Sequence, residues 1–167
     1  MADLDLFLSI AEIAGVFLGF AALVSIVNRS TGEKKENLKF SLTNMVFLSL
    51  LVVAGSLFPI VLIHYEFAAR LVWGVSAGAL FLLNGVIFFY LSGFASGWKK
   101  AHANAPIISY TAWCLEPLFQ IPLVICMLGF FEEYFLAMYM TSLVAILLQT
   151  ALILANVVVT VVSEEDV

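Results

Sequence analysis

Five long apolar runs dominate this chain, at about Leu4 to Val27, Phe40 to Ile63, Ala68 to Phe94, Ile107 to Phe131 and Tyr134 to Val162. Crossing a hydrocarbon core about 30 Å thick takes roughly 20 residues at about 1.5 Å each, so every run is long enough to span a bilayer as a helix. Composition leaves these runs no other solvent. Of the 167 residues, 63% are hydrophobic and 11% charged, a ratio that a soluble domain of this length cannot bury. The expected fold is all-α: a single transmembrane domain over residues 1–167, a polytopic bundle of five spans with no extramembrane domain.

The segments between the runs are short: NRSTGEKKENLK, HYEFAAR, SGFASGWKKAHANAP and FEEY. Short connections make sequential helices antiparallel neighbours. Arg29, Lys34, Lys35, Lys39, Lys99 and Lys100 fall in the first and third connections, and only Arg70 falls in the second. Loops rich in lysine and arginine stay in the cytoplasm. That rule puts the N-terminus, Glu132 and Glu133 outside and the C-terminal SEEDV in the cytoplasm, as for an integral protein of a bacterial inner (plasma) membrane. Tyr65, Trp73 and Trp98 then sit near the water boundaries that amphipathic rings favour. The opening MADLDLFLS has two aspartates and no basic residue, unlike a secretory signal, so the first run is expected to stay in the mature protein.

The fourth run is the weakest, because CLEPLFQIP places Glu116, Pro117, Gln120 and Pro122 inside it. Its Leu, Ile, Phe and Val residues contribute about −5 kcal/mol of insertion free energy, of which a charged Glu116 removes about 3. The prolines also release the carbonyls of Trp113 and Leu118 from helical hydrogen bonds. Such a segment needs neighbouring helices. The alternative to five spans is four, plus a re-entrant segment around Glu116–Pro117.

LSIAEIAGVFLGFAALVS, in the first run, holds one acid, Glu12. On a helix Glu12, Gly15, Gly19 and Ala22 follow spacings of three and four and share a face. Small residues let backbones approach closely and lipid gains nothing from glycine, so this face is expected to meet another helix with Glu12 turned inward. Three roles are open to it there. A neutral carboxyl, both donor and acceptor, can bridge a helix contact. An ionisable group beside a wet cavity can handle protons or cations. A third role follows from depth: Glu12 is only about 12 Å of helix rise from Leu4 and can reach the outer interface.

Other polar positions follow the same logic. Gly74, Gly78 and Gly85 are packing positions in the third run, next to Asn84. In the fifth run Ser142, Gln149, Asn156 and Ser163 recur every seven residues, a polar line that should avoid lipid and either lines a pore or bonds to adjacent helices. Trp113, Glu116 and Gln120 share a face of the fourth. Pro59 is expected to kink the outer part of the second run. Cys114 and Cys126 share one apolar run and read as small packing residues, not as a disulfide. His64 and His102 lie at opposite membrane faces and cannot jointly hold a haem or metal, and no HExxH, nucleophile elbow or paired-cysteine motif occurs. No catalytic residue, metal ligand or cofactor is therefore expected, and a net charge of −5 argues against nucleic acid as a partner.

Two functions fit these residues. A channel or transporter-like protein for protons or small cations would use Glu12 and Glu116 as the ion- or proton-handling groups, with Gln120, Gln149 and Asn156 as polar lining. A non-catalytic membrane subunit or scaffold would use the same groups to hold helices together, with its acidic tail or basic loops meeting a protein partner. Several small-residue faces on one short chain point to a homo-oligomer in either case.

Overall fold

A computed structural model describes residues 2–27, 33–92 and 106–162, with side chains over 4–26, 38–87 and 115–158. The described residues form α1 (Ala2–Val27), α2 (Glu33–His64), α3 (Ala69–Ser92), α4 (Pro106–Leu128) and α5 (Phe135–Val162), with a 3-10 turn at Glu132–Tyr134 and no strand. Four stretches, Leu4–Ile26, Leu38–His64, Ala69–Ile87 and Glu132–Val158, are long and apolar enough to cross a bilayer, and α4 adds the shorter apolar stretch Leu115–Leu128. The all-helical bundle read from the sequence is the fold that forms. α2 starts at Glu33, ahead of its apolar run, because EKKENLK consists mostly of good helix formers. The expectations for Arg29, Trp98, Lys99, Lys100, His102 and Ser163 lie outside the described residues, as do those for the side chains of Lys34, Lys35, Trp113 and Cys114.

α4 is one continuous helix through Pro117 and Pro122, with no re-entrant turn. Its 23 residues extend about 34 Å at about 1.5 Å each. The two ends of the bundle can be told apart. The rings of Phe7, Trp73 and Tyr139 meet at one of them, with centroids 6.2 Å apart for Phe7 with either partner and 5.8 Å for Trp73 with Tyr139. At the same end Arg70 Nε lies 3.6 Å from Glu132 Oε1, joining the first turn of α3 to the α4–α5 connection. From there α5 runs 28 residues away, so Ala2 and Val162 lie at opposite ends of the bundle.

Neighbours in sequence are neighbours in space: α1 packs on α2, α2 on α3, α3 on α4 and α4 on α5. α5 also touches α2, α1 and α3, so the first four helices form an arc that α5 closes. α1 contributes a single stripe to this core. Phe7, Ile10, Ala14 and Ala21 are buried and Phe17 and Val24 pack against them, a repeat of three and four. Away from the core the surface stays apolar, with Val16, Ile26, Leu82 and Val86 exposed by 69, 79, 64 and 66%. A belt of this kind invites aggregation in water and suits acyl chains.

Two backbone devices fix the helix contacts. Pro59 has no N–H to offer the carbonyl of Gly55, four residues earlier, and Tyr139 Oη donates to that carbonyl at 2.8 Å. The other device ends α4. Gly129 adopts φ 76°, Gly129 N–H bonds Cys126 O and Phe130 N–H bonds Ile125 O, the paired bonds of a Schellman cap.

Candidate functional site

Three polar side chains inside the spans meet where α3 faces α4. Glu116 projects from α4, half-buried, and accepts two hydrogen bonds on one oxygen. Asn84 Nδ2 donates to Oε1 at 3.0 Å and Gln120 Nε2 donates to the same atom at 3.1 Å. Asn84 is 3% exposed, so its amide has exchanged water for this carboxyl. Gln120 lies one helical turn beyond Glu116 and is placed by the i,i+4 geometry of α4. Its own Oε1 is buried and has no hydrogen-bond partner.

The cluster lies well inside the apolar zone. Asn84 is 14 residues beyond Arg70 on α3, and Glu116 is 13 residues before Gly129 on α4. At about 1.5 Å per residue those positions are about 21 and 20 Å from the same bundle end. The depth match explains the pairing. Asn84, singled out from sequence only as company for glycines, is the residue that sequence reasoning missed here. Counting inward from the two outer connections would have found it, since a carboxyl in a span needs a polar neighbour at its own depth.

The polar line of α5 also turns inward: Ser142 and Gln149 are buried and Asn156 is half-buried. Ser142 Oγ lies 2.9 Å from Phe119 O on α4 and 3.1 Å from Met138 O in its own helix, so one hydroxyl serves two carbonyls. Gln149 and Asn156 each make an interaction of their own, while the two bonds given above to Glu116 come from Asn84 and Gln120. Cys126 packs in the core with Sγ 3.8 Å from Phe135 O. Trp73, placed by sequence near a water boundary, lies at the Arg70–Glu132 end of the bundle, half-buried against Phe7 and Tyr139.

Within this chain Glu12 is not interior: its side chain is exposed and Gly15, Gly19 and Ala22 are exposed with it, so the face expected to meet another helix points away from the chain's own bundle. A Cβ added at Gly15 or Gly19 would meet nothing within 4 Å, and the same is true of Gly74 and Gly85. At Gly78 the nearest group is Met127 Cε at 3.8 Å. The cause is competition within α1. The Phe7–Val24 stripe offers larger apolar side chains to α2 and α5 than the glycine face does, and one helix cannot turn both inward. Glycine does mediate a close approach at Gly55, where a Cβ would lie 3.0 Å from both Leu143 Cδ2 and Leu80 Cδ1. The two carboxyls are therefore not brought together: α1 packs on α2 and α5, whereas Glu116 belongs to the α3–α4 contact.

Among the described residues no group of three or more His, Cys, Asp or Glu side chains converges as metal ligands would. What the arrangement does chemically is satisfy amide donors with a carboxyl between α3 and α4, and leave a second carboxyl exposed on the outer side of α1. In comparisons with known proteins, no family model, no curated protein and no solved structure matches this chain.

Proposed function

We propose that this integral membrane protein is a non-catalytic membrane subunit, in which Glu116 is a structural acceptor and the outer face of α1 takes part in lateral assembly. One observation carries the reading: the two intramembrane carboxyls occupy separate sites, one hydrogen-bonded between helices and one exposed. A conducting path built on both would need them to share an interior. A carboxyl that faces outward from a span calls instead for a polar or close-packed neighbour from beyond its own chain, because acyl chains offer no hydrogen bond. By the excess of lysine and arginine in the first and third connections, the Arg70–Glu132 end lies outside and the C-terminal end lies in the cytoplasm.

A second reading has its own support. Gln120 Oε1 is buried without a partner beside the Glu116 carboxyl, and the two side chains offer oxygen ligands for a proton or a small cation. Flux separates the two. Purified chain in liposomes is expected to carry no proton or monovalent-cation flux above empty vesicles. A flux abolished by Glu116→Gln would overturn the subunit reading and establish the transport one.

A further inference from the structure

Five aromatic side chains ring the Arg70–Glu132 end of the bundle without entering its core. Tyr65 and Phe67 belong to the α2–α3 connection and Phe130, Phe131 and Tyr134 to the α4–α5 connection, and all are between 48 and 70% exposed. Two left-handed residues shape this rim. Glu66, at φ 57°, turns the chain between Tyr65 and Phe67, whose ring centroids lie 6.4 Å apart, and Phe131, at φ 59°, turns it beside Phe130. Residues other than glycine keep such a backbone only where their surroundings hold it. The rim also continues the apolar belt without a break: the exposed Val61 and Ile63 lead into Tyr65, and the exposed Met127 and Leu128 lead to Phe130. Glu66, Arg70, Glu132 and Glu133, all exposed, are interleaved with the rings.

We propose that this rim is seated in the phospholipid headgroup layer, so that lipid covers the five rings and sets the height of the bundle in the bilayer. The inference is independent of both functional readings above. Continuity supplies the first argument: acyl chains cover the belt below, and the next layer up is the headgroups, where amphipathic rings and charged groups are both at home. Length supplies the second. A hydrocarbon core about 30 Å thick takes about 20 helical residues, so a core that begins just below the rim at Leu62 ends along α2 near Leu42 and leaves Lys39 in the opposite headgroup layer. Trp73 and Tyr139 each lie four residues inside their helices and meet Phe7 at that level, so the same core spans about Asp5 to Ser25 on α1 and about Ala137 to Val157 on α5. Its boundaries fall beside polar residues on all three helices: Asp5 and Ser25, His64 and Lys39, and Asn156. Raising the rim clear of the headgroups, a layer about 5–7 Å thick, would carry the far boundary to Lys39. With the rim seated, Glu116 and Asn84, about 20 Å from that end, lie close to the bilayer centre.

The test uses the full chain in phosphatidylcholine vesicles. With Cys114 and Cys126 replaced by alanine, a nitroxide is attached at Phe131→Cys or, for comparison, at Glu133→Cys, and its relaxation by oxygen, which concentrates in lipid, is set against relaxation by a water-soluble nickel chelate. Oxygen is expected to dominate at position 131 and nickel at position 133. The unsubstituted chain gives a second measurement that no variant can spoil. A phospholipid carrying a photoactivated diazirine near its glycerol is expected to label Phe130, Phe131 and Tyr134 and to spare Tyr139, which is fully buried. Nickel access at 131 equal to that at 133, or rings left unlabelled by the lipid probe, overturns the seating. So does shielding of position 131 that is present in cell membranes and lost in pure lipid, because a protein would then be what covers the rim.

Discussion

Tyr139 Oη, on α5, donates a 2.8 Å hydrogen bond to the backbone carbonyl of Gly55 on α2. Three residue choices on two helices meet in this contact. Pro59 takes the helical donor from that carbonyl, Gly55 supplies the room for α5 to come near, and Tyr139 is fully buried with its hydroxyl at the freed acceptor. In a soluble helix, water could satisfy a carbonyl left open by proline. In a membrane it must be another part of the protein. The contact also belongs to the layer where Tyr139 meets Phe7 and Trp73, so the start of α1, the start of α3 and the outer half of α2 are tied to one ring.

Tyr139→Phe should therefore cost about 1–2 kcal/mol, the penalty for a buried acceptor left open, at the upper end of what intramembrane hydrogen bonds contribute. In a Pro59→Ala background the restored N–H can serve Gly55 O, and the same substitution should cost about 0.5 kcal/mol or less. Reversible unfolding in mixed micelles, run as a double-mutant cycle, reads the coupling. Strict additivity would mean that the tyrosine hydroxyl does not serve the carbonyl that Pro59 exposes.

At the α3–α4 contact, shape and charge can be separated by two substitutions of one residue. Glu116→Gln keeps an oxygen that Asn84 Nδ2 and Gln120 Nε2 can donate to, and is expected to change stability by less than about 1 kcal/mol. Glu116→Ala removes the acceptor from an asparagine that is 3% exposed and should cost about 1–3 kcal/mol. Equal losses from both would show that the ionised group itself is what the site requires.

Much of the fold could be read from sequence because lipid simplifies the problem. Hydropathy over some 20 residues finds spans without any knowledge of packing, which is why the five helices fall where the apolar runs are. Which side of a helix faces inward is a different question, and α1 shows why it was missed. Lipid and protein core are equally apolar, so a hydrophobic stripe and its opposite face look alike to any periodicity measure, and the glycine pair was given the inside that Phe7, Ile10 and Ala14 occupy. Glu116 was legible as interior because two prolines and a carboxyl in one run demand neighbours. Its partner Asn84 was not, since nothing local to either residue sets which helices adjoin.

Glycine substitutions test that distinction directly. Gly55→Ala places a methyl 3.0 Å from Leu143 Cδ2 and Leu80 Cδ1, and the overpacking should cost about 1–3 kcal/mol, offset by up to about 1 kcal/mol of helix propensity. Gly74→Ala meets nothing within 4 Å and should be neutral or stabilising by up to about 1 kcal/mol. Thermal unfolding in detergent ranks the two, and a Gly74→Ala loss matching that of Gly55→Ala would contradict the packing described.

The α4–α5 turn gives the last case, where a steric and a conformational cost can be told apart. Gly129 has φ 76°, and a Cβ there would also stand 2.7 Å from Arg70 Nη2. The Arg70 side chain is 69% exposed, so it can swing aside at the expense of its 3.6 Å pair with Glu132, and exposed pairs of this kind contribute about 0–1 kcal/mol. The backbone cannot yield so easily, because the Schellman cap fixes both Gly129 N–H and Phe130 N–H, and a left-handed non-glycine residue costs about 1–2 kcal/mol. Gly129→Ala should thus cost about 1–2 kcal/mol in wild type and nearly the same in an Arg70→Ala background. Gly129→Asn, whose side chain tolerates the left-handed region, should cost less than Gly129→Ala. Full rescue of Gly129→Ala by Arg70→Ala would reverse the assignment and make the arginine contact, not the φ angle, the reason for glycine.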